Sequence, residues 1–298
     1  MEYHNPVLLN ETVDGLNIKE DGIYVDVTYG GGGHSREILS RLGEHGKLIA
    51  FDQDQDALLN KIDDSRFLLI NENFRHIKRF LRFHGIETVD GILADFGVSS
   101  YQFDEPDRGF STRFDANLDM RMNQQDVLSA LNVINDYDEE ALKKVFYQYG
   151  ELRQAPLLAR VIVSERKHQE IKTTAQLKNI VIKHLPPRRE NKILAQIYQA
   201  IRIEVNQELE ALKEFLLQTQ DLLKTGGRLS LISYHSLEDR LVKRYIRSGL
   251  FEGEPEKDIY GNVEVPFKRI GKLIVPTSEE IEKNRRARSA KLRIAERL

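Results

Sequence analysis

The first hundred residues alternate short apolar runs with longer stretches in which apolar residues recur at helical spacing. Short apolar runs bounded by polar residues are typical of buried strands, and the periodic stretches are typical of amphipathic helices. The pattern predicts strands at 23–27, 47–51, 66–70 and 89–94, and helices at 35–42, 54–62 and 74–84. Such alternation favours a parallel sheet with right-handed crossovers.

The pattern changes after residue 95. Residues 104–190 show no convincing strand, and amphipathic helices are predicted at 126–131, 138–147, 155–167 and 174–183. The pair Pro186-Pro187 ends the last of these helices.

Strand and helix patterns resume beyond residue 190. One long helix is predicted at 191–224, ended by Gly226-Gly227, followed by a fifth strand at 228–234 and a helix at 237–247. Short strands within 263–275 and 291–298 would complete the sheet as an edge hairpin. We therefore predict an α/β, Rossmann-like core formed by 1–103 and 191–298, with an inserted all-helical domain at 104–190.

Composition restricts the class of protein. The 298 residues are 40% hydrophobic and 31% charged, which is typical of a globular protein. No apolar segment approaches the ~20 residues that a membrane helix needs, and the N-terminus does not resemble a signal peptide. The chain has no cysteine, which excludes disulfides and thiolate zinc sites. We expect a cytoplasmic protein with no membrane partner and no metal.

Positive charge is clustered although the formal net charge is −3. Basic clusters lie at 183–189 and 285–297, and a third comprises Arg240, Lys243, Arg244 and Arg247. Patches of positive charge, more than net charge, decide whether phosphate is bound. Solvated helix faces are the alternative explanation, and three separate clusters favour RNA or DNA.

A glycine-rich turn provides the first candidate site. The apolar run at 23–27 leads into four glycines, Gly30 to Gly33, and then into a helical stretch. About twenty residues later the second predicted strand ends in Asp52, where an acid can accept the hydroxyls of an adenosyl ribose. The dinucleotide pattern Gly-x-Gly-x-x-Gly fails, and no Gly-Lys-Ser/Thr is present to hold a triphosphate. A glycine turn without these phosphate-binding features suits S-adenosylmethionine, and a glycine-rich loop that binds nothing is the alternative.

Other candidates lie where the predicted strands end, because ligands of parallel sheets bind beyond the carboxyl ends of the strands. Asp26 ends the first strand and could receive the ammonium of the methionine moiety, and Asp95 ends the fourth. Phe74 follows the third strand, where its ring either flanks an adenine or simply begins a helix. His235 is the histidine with the best claim to the site. Surface or packing roles are expected for His4, His76, His84 and His168.

Eight motifs, in order along the whole chain, resemble the ribosomal RNA small subunit methyltransferase H family. They are Asp26-Val-Thr-Tyr-Gly-Gly-Gly-Gly-His-Ser35, Asp95-Phe-Gly-Val-Ser-Ser100, Arg108-Gly-Phe-Ser111, Leu118-Asp-Met-Arg-Met122, Tyr149-Gly-Glu151, Arg202-Ile-Glu-Val-Asn206, His235-Ser-Leu-Glu-Asp-Arg240 and Arg285-Arg-Ala-Arg-Ser-Ala-Lys-Leu-Arg293. The chain departs from the family's usual pattern at 187–197, just before the Arg-Ile-x-Val-Asn motif.

The resemblance implies a function and a set of residues. The family uses S-adenosylmethionine to methylate N4 of a P-site cytosine in bacterial 16S ribosomal RNA. The resemblance implies that the inserted domain recognises substrate and that the partner is 16S RNA within the small subunit. Its cofactor positions match Gly32, Gly33, His34, Asp52, Phe74, Asp95 and Gln102.

Cytosine N4 is a poor nucleophile because its lone pair is delocalised into the ring. We expect Asp95 to act as a hydrogen-bond acceptor for this amine, or else to contact only the cofactor, and His235 is the second catalytic candidate. Stacking candidates for an extruded base are Phe96, Phe103 and Phe110. Three rival functions stay open: methylation of another amine such as DNA adenine, ribosome assembly with a vestigial pocket, and nicotinamide-dependent oxidoreduction.

Overall fold

The computed structural model describes residues 6–258, 260–261 and 263–298. His4 lies outside the described residues. The chain divides into two compact units. The first contains the described residues up to Gly97 together with Leu209–Leu298, and the second is Val98–Glu208.

The first unit contains a seven-stranded sheet in the order β3-β2-β1-β4-β5-β7-β6. Its strands are β1 (Ile23–Asp26), β2 (Lys47–Phe51), β3 (Phe67–Ile70), β4 (Val89–Asp95), β5 (Leu223–Ser233), β6 (Phe267–Ile274) and β7 (Lys291–Arg297). The first five are parallel, and β7 is antiparallel to both β5 and β6. The predicted Rossmann-like core and its edge hairpin are confirmed.

The helices follow the amphipathic pattern in most places. The α-helices of the described residues are α1 (Leu9–Gly15), α2 (Gly33–Arg41), α3 (Ile77–Phe83), α4 (Ser100–Asp104), α5 (Ala130–Asp136), α6 (Glu139–Gln148), α7 (Ala155–Glu165), α8 (Thr174–Ile182), α9 (Glu190–Asn206), α10 (Glu208–Leu222), α11 (Ser236–Ser248) and α12 (Ser278–Lys283). Residues 55–60 form a 3₁₀ helix instead of the predicted α-helix, and α5 begins four residues later than expected.

Apolar side chains cover the sheet on both faces. Successive residues of β2 point to opposite faces, so Leu48 and Ala50 belong to one buried cluster while Ile49 and Phe51 belong to another. The first cluster includes Ile38 of α2, and the second includes Phe215 of α10. A parallel sheet buried in this way explains the continuous apolar runs in the sequence.

The helical unit has its own apolar core, to which α5–α9 all contribute. Our expected limits were 104 and 190, whereas the unit extends from Val98 to Glu208. The difference arises because α9 buries Ile193, Ile197 and Ile201 in this core.

The single long helix predicted at 191–224 is wrong. Gln207 adopts a left-handed conformation with φ of 50°, and this residue separates α9 from α10. The strand β5 then begins at Leu223, before the glycine pair that was expected to end the helix. No helix of the described residues is long and apolar enough to span a membrane.

Candidate functional site

Three aspartates lie at the carboxyl ends of neighbouring strands. Asp26 on β1 is in register with Ala50 of β2 and with Leu93 of β4. Asp52 and Asp95 each come two residues after those partners. Neighbouring strands are about 4.8 Å apart, so three carboxyl groups share one edge of the sheet.

Asp26 ties β1 to the following helix. Its side chain is 1% exposed and accepts hydrogen bonds from the Ser35 hydroxyl (2.7 Å) and the Thr28 N–H (3.1 Å). Burial raises the pKa of Asp26 to about 6, although these hydrogen bonds oppose the rise. Both oxygens are thus engaged within the protein, and the role of Asp26 as an acceptor for the methionine ammonium stays a prediction.

Asp52 lies beside the glycine turn. One oxygen accepts the Gly30 N–H at 2.7 Å, and the other accepts the Asp54 N–H at 2.9 Å. Burial raises the pKa of Asp52 to about 6, and the same two hydrogen bonds counter this rise. A carboxylate oxygen has more than one lone pair, so each can also accept a hydroxyl. This arrangement fits a ribose with two free hydroxyls.

Backbone conformation and close neighbouring side chains both require glycine in this turn. Gly30 and Gly32 have φ values of 52° and 75°, a region that residues with a Cβ avoid. A Cβ on Gly32 would lie 2.7 Å from the Tyr29 hydroxyl oxygen, and one on Gly33 would lie 2.1 Å from Cγ of Pro6. The turn therefore packs closely on neighbouring side chains and has no room for a Cβ at these positions. The helix α2 begins directly at Gly33.

The imidazole of His34 is used inside the protein. It is 6% exposed, and its Nε2 lies 3.1 Å from the Val7 carbonyl oxygen. Burial lowers the pKa of His34 to about 4, so the ring is neutral at pH 7. A cofactor contact at this position would therefore have to come from the backbone.

Phe74 lies in an aromatic cluster at the end of β3. Its half-buried ring packs edge-to-face on Phe96 and Phe215, with centroids 5.9 and 5.5 Å apart. Phe96 is 4% exposed and belongs to the sheet's core. The stacking role expected for Phe96 is therefore wrong, whereas Phe74 keeps a partly exposed ring at the carboxyl edge.

Asp95 has a buried carboxyl oxygen at this edge without a hydrogen-bond partner in the described part of the chain. Its N–H donates to the Thr28 hydroxyl at 2.6 Å, and its carboxyl group is hydrogen-bonded by the Tyr234 side chain. The other oxygen, Oδ1, is buried and has no hydrogen-bond partner among the described residues. Burial, together with the charges of Asp26 and Glu238, raises the pKa of Asp95 to about 7. An unpaired buried acceptor is costly, and an amine N–H would satisfy it.

His235 is the N-cap of α11. Its Nδ1 accepts the Glu238 N–H at 3.4 Å, and its Nε2 lies 3.1 Å from Glu238 Oε1. The Glu238 carboxylate in turn accepts the Tyr234 N–H at 2.9 Å. The cap gives His235 a structural role at the end of β5, and its expected catalytic role stays a prediction.

Gln102 belongs to the helical unit, where it completes the N-terminal capping box of α4. Its Oε1 accepts the Ser99 N–H at 3.0 Å, and the residue is 5% exposed. In the same unit Phe110 is 5% exposed, so its ring offers no stacking surface. Phe103 is partly buried and packs against the core of this unit. Tyr101 and Phe114, each 43% exposed, are aromatic side chains that the sequence did not single out.

The basic C-terminal segment is partly neutralised. Asp239 binds Arg293 at 2.7 Å and Lys291 at 3.2 Å. The Arg297 guanidinium donates to backbone carbonyls, including that of Pro266. Arg285 and Arg288 remain exposed, so only the first half of this cluster faces solvent with its charge available.

Comparisons with known proteins cover the whole chain. The model of the MraW methylase family matches residues 1–298. A protein named ribosomal RNA small subunit methyltransferase H from Christiangramia forsetii is 72% identical over 298 residues, covering 100% of this chain and 99% of the relative. Proteins of the same name from Flavobacterium johnsoniae and Bacteroides thetaiotaomicron are 70% and 55% identical, each over 100% of this chain and 99% and 98% of their own lengths.

Proposed function

This chain belongs to the MraW methylase family, and we propose that it methylates N4 of a P-site cytosine in 16S ribosomal RNA. Its methyl donor is S-adenosylmethionine. Relatives up to 72% identical that carry the name of a ribosomal RNA small subunit methyltransferase support the choice of substrate. The single observation that carries the proposal for an amine target is the buried, unpaired Oδ1 of Asp95.

The cofactor-binding part of the proposal rests on the edge formed by β1 and β2. Asp52 would accept the ribose hydroxyls, beside the turn formed by Gly32 and Gly33. Phe74 would lie against the adenine through its partly exposed ring. His34 would contribute its backbone N–H in the first turn of α2, where helix N-termini favour the carboxylate of a methionine moiety.

Asp95 would bind and orient the target amine. S-adenosylmethionine supplies a methyl group on a sulfonium, which an amine attacks in line. Holding the amine in line can lower the barrier by roughly 7–11 kcal/mol. A hydrogen bond from N4 to Oδ1 of Asp95 would favour the nucleophilic, tetrahedral amine and stabilise its developing positive charge. Tyr234, bound to the same carboxyl group, would hold it in this orientation.

RNA would be bound by parts of the chain outside this edge. Arg285 and Arg288 are exposed cations, and in the helical unit Tyr101 and Phe114 are exposed aromatics able to stack on unpaired bases. We infer that the helical unit and the basic C-terminal segment act on RNA and not on the cofactor. Gln102 is proposed as a cofactor contact on the resemblance alone.

A substrate panel tests the proposal. The purified protein is incubated with methyl-labelled S-adenosylmethionine and assembled small subunits, protein-free 16S RNA or DNA. We expect transfer to RNA, and mass mapping should place the methyl on N4 of one P-site cytosine. Transfer to DNA adenine would identify another amine methyltransferase. Tight subunit binding without cofactor binding in calorimetry would identify an assembly factor, and either result would refute the proposal.

A further inference from the structure

A groove lies between α11 and the edge hairpin of the sheet in the first unit. Its volume is about 250 Å³, and residues of α11, β6 and β7 line it. The strand β6 lies four positions from β1 in the sheet, which corresponds to about 19 Å at a spacing of about 4.8 Å. The groove is therefore separate from the glycine turn and from Asp52.

The lining of the groove combines positive charge with an apolar floor. Its cations are Lys243, Arg247, Arg269, Lys272 and Arg293, and no acidic residue lines it. Arg293 is bound to Asp239, but the other four are exposed and have no ion-pair partner among the described residues. In a chain of net charge −3, four such cations around one groove form a strong local positive potential.

The floor is formed by isoleucine, leucine and phenylalanine side chains, among them Ile270 and Leu273 of β6. A phosphate group alone would not contact the apolar floor, and the bases of a paired duplex are stacked inside it and cannot reach the floor. An unpaired nucleotide presents both chemistries, because its base packs on apolar groups while its phosphates meet lysine and arginine. The volume lies below the roughly 300–1,000 Å³ of pockets that enclose a whole drug-sized ligand, which suits a single base.

We propose that this groove binds an unpaired segment of RNA outside the methylation target. The phosphates would lie on Lys243, Arg247, Arg269 and Lys272, and one base would lie on the floor beside Leu273. The inference rests on the proposed function, since it takes ribosomal RNA as the polyanion. The groove acts as an anchor and leaves the chemistry of methyl transfer unchanged.

Two triple variants of equal charge test the groove. The groove variant is Lys243→Gln with Arg247→Gln and Lys272→Gln. The control is Lys47→Gln with Arg79→Gln and Arg82→Gln, which removes exposed cations from β2 and α3. Binding to protein-free 16S RNA is measured without cofactor at several salt concentrations. Loss of three phosphate contacts with a single strand should flatten the slope of log affinity against log salt by about 2.

We expect the groove variant to bind RNA at least about tenfold more weakly, while the control keeps the parental slope. Single-turnover transfer at saturating RNA should equal that of the unmodified protein. A groove variant with the parental slope overturns the inference. Weaker binding only to assembled subunits, with protein-free RNA unaffected, also overturns it and identifies an acidic protein as the occupant.

The floor is tested independently by Leu273→Asn, a change that adds no charge at a position that is 39% exposed and therefore tolerant. This variant should weaken binding of single-stranded RNA and leave duplex RNA unaffected. Equal loss for both forms would refute the base-binding floor. If the unmodified protein binds RNA through the groove but transfers no methyl group, the proposed function fails while the groove stands.

Discussion

Replacing Asp95 by Asn should make the protein more stable and less active. The carboxyl group of Asp95 is buried at the end of β4, and burial is the main reason that its pKa rises from 3.8 to about 7. Ionising this group costs more free energy in the folded protein than in the unfolded chain, so ionisation lowers the free energy of unfolding. Asn keeps a carbonyl for the Tyr234 hydrogen bond but cannot ionise.

The magnitude follows from the pKa. A rise from 3.8 to about 7 corresponds to at most about 4 kcal/mol of lost stability once Asp95 is fully ionised. The amide of Asn introduces N–H donors where Oδ1 has no partner, and an unsatisfied buried group costs about 1–3 kcal/mol. We expect the free energy of unfolding of Asp95→Asn to rise by about 1–3 kcal/mol near pH 8.

The gain should depend on pH in a defined direction. Below about pH 4, Asp95 is protonated in both the folded and the unfolded chain, so the carboxyl group costs nothing. The cost develops as pH rises from there through about 7, the pKa of the folded state. The difference between variant and parent should thus be small near pH 5 and largest above pH 7.

The assay is urea unfolding followed by circular dichroism, since the chain has no tryptophan. Asp90→Asn is the matched control at the other end of β4. Burial disfavours ionisation of Asp90, but hydrogen bonds from Lys224 (2.7 Å) and the Ile23 N–H (3.0 Å) outweigh it and lower its pKa. That variant should be destabilised. An Asp95→Asn variant that is less stable at every pH would refute the reasoning.

Three further predictions concern activity and binding. Asp52→Ala should weaken S-adenosylmethionine binding by about 1.5–3 kcal/mol in calorimetry, because a charged acceptor is lost, and unchanged affinity would remove Asp52 from the site. Single-turnover methyl transfer should rise with pH through about 7, because Asp95 accepts the amine hydrogen bond best when ionised; a rate that falls over this range contradicts that role. Replacing Arg285, Arg286 and Arg288 by Gln should weaken RNA binding and flatten its salt dependence with cofactor affinity unchanged, whereas a parental salt slope would make the segment structural.

The sequence predicts the sheet well because its apolar runs are long and its helices begin at recognisable caps. Asp26, Asp52 and Asp95 were correctly expected at one edge, since each follows a strand and parallel strands present their ends together. The parallel pairing of β1 to β5 also follows from the alternation of strands and helices. The break at Gln207 does not follow, because a left-handed glutamine leaves no trace in periodicity.

Side-chain roles within the site are less accessible to sequence reasoning. His34 and His235 look alike as histidines beside a strand end, yet one is a buried partner of Val7 and the other caps a helix. Burial of Phe96 and Phe110 likewise depends on the path of the backbone after β4, which the sequence pattern does not specify. The groove near Leu273 involves residues far apart in sequence, so only the folded hairpin brings them together.

The insertion of the helical unit between β4 and β5 has a consequence for synthesis on the ribosome. The strand β5 pairs with β4 and with β7, so neither pair can form until residues beyond the insertion have been synthesised. At roughly 5–20 residues per second, the chain from Asp95 to Leu223 takes on the order of ten seconds to emerge. During that interval β4 has an open edge that can pair with another nascent chain.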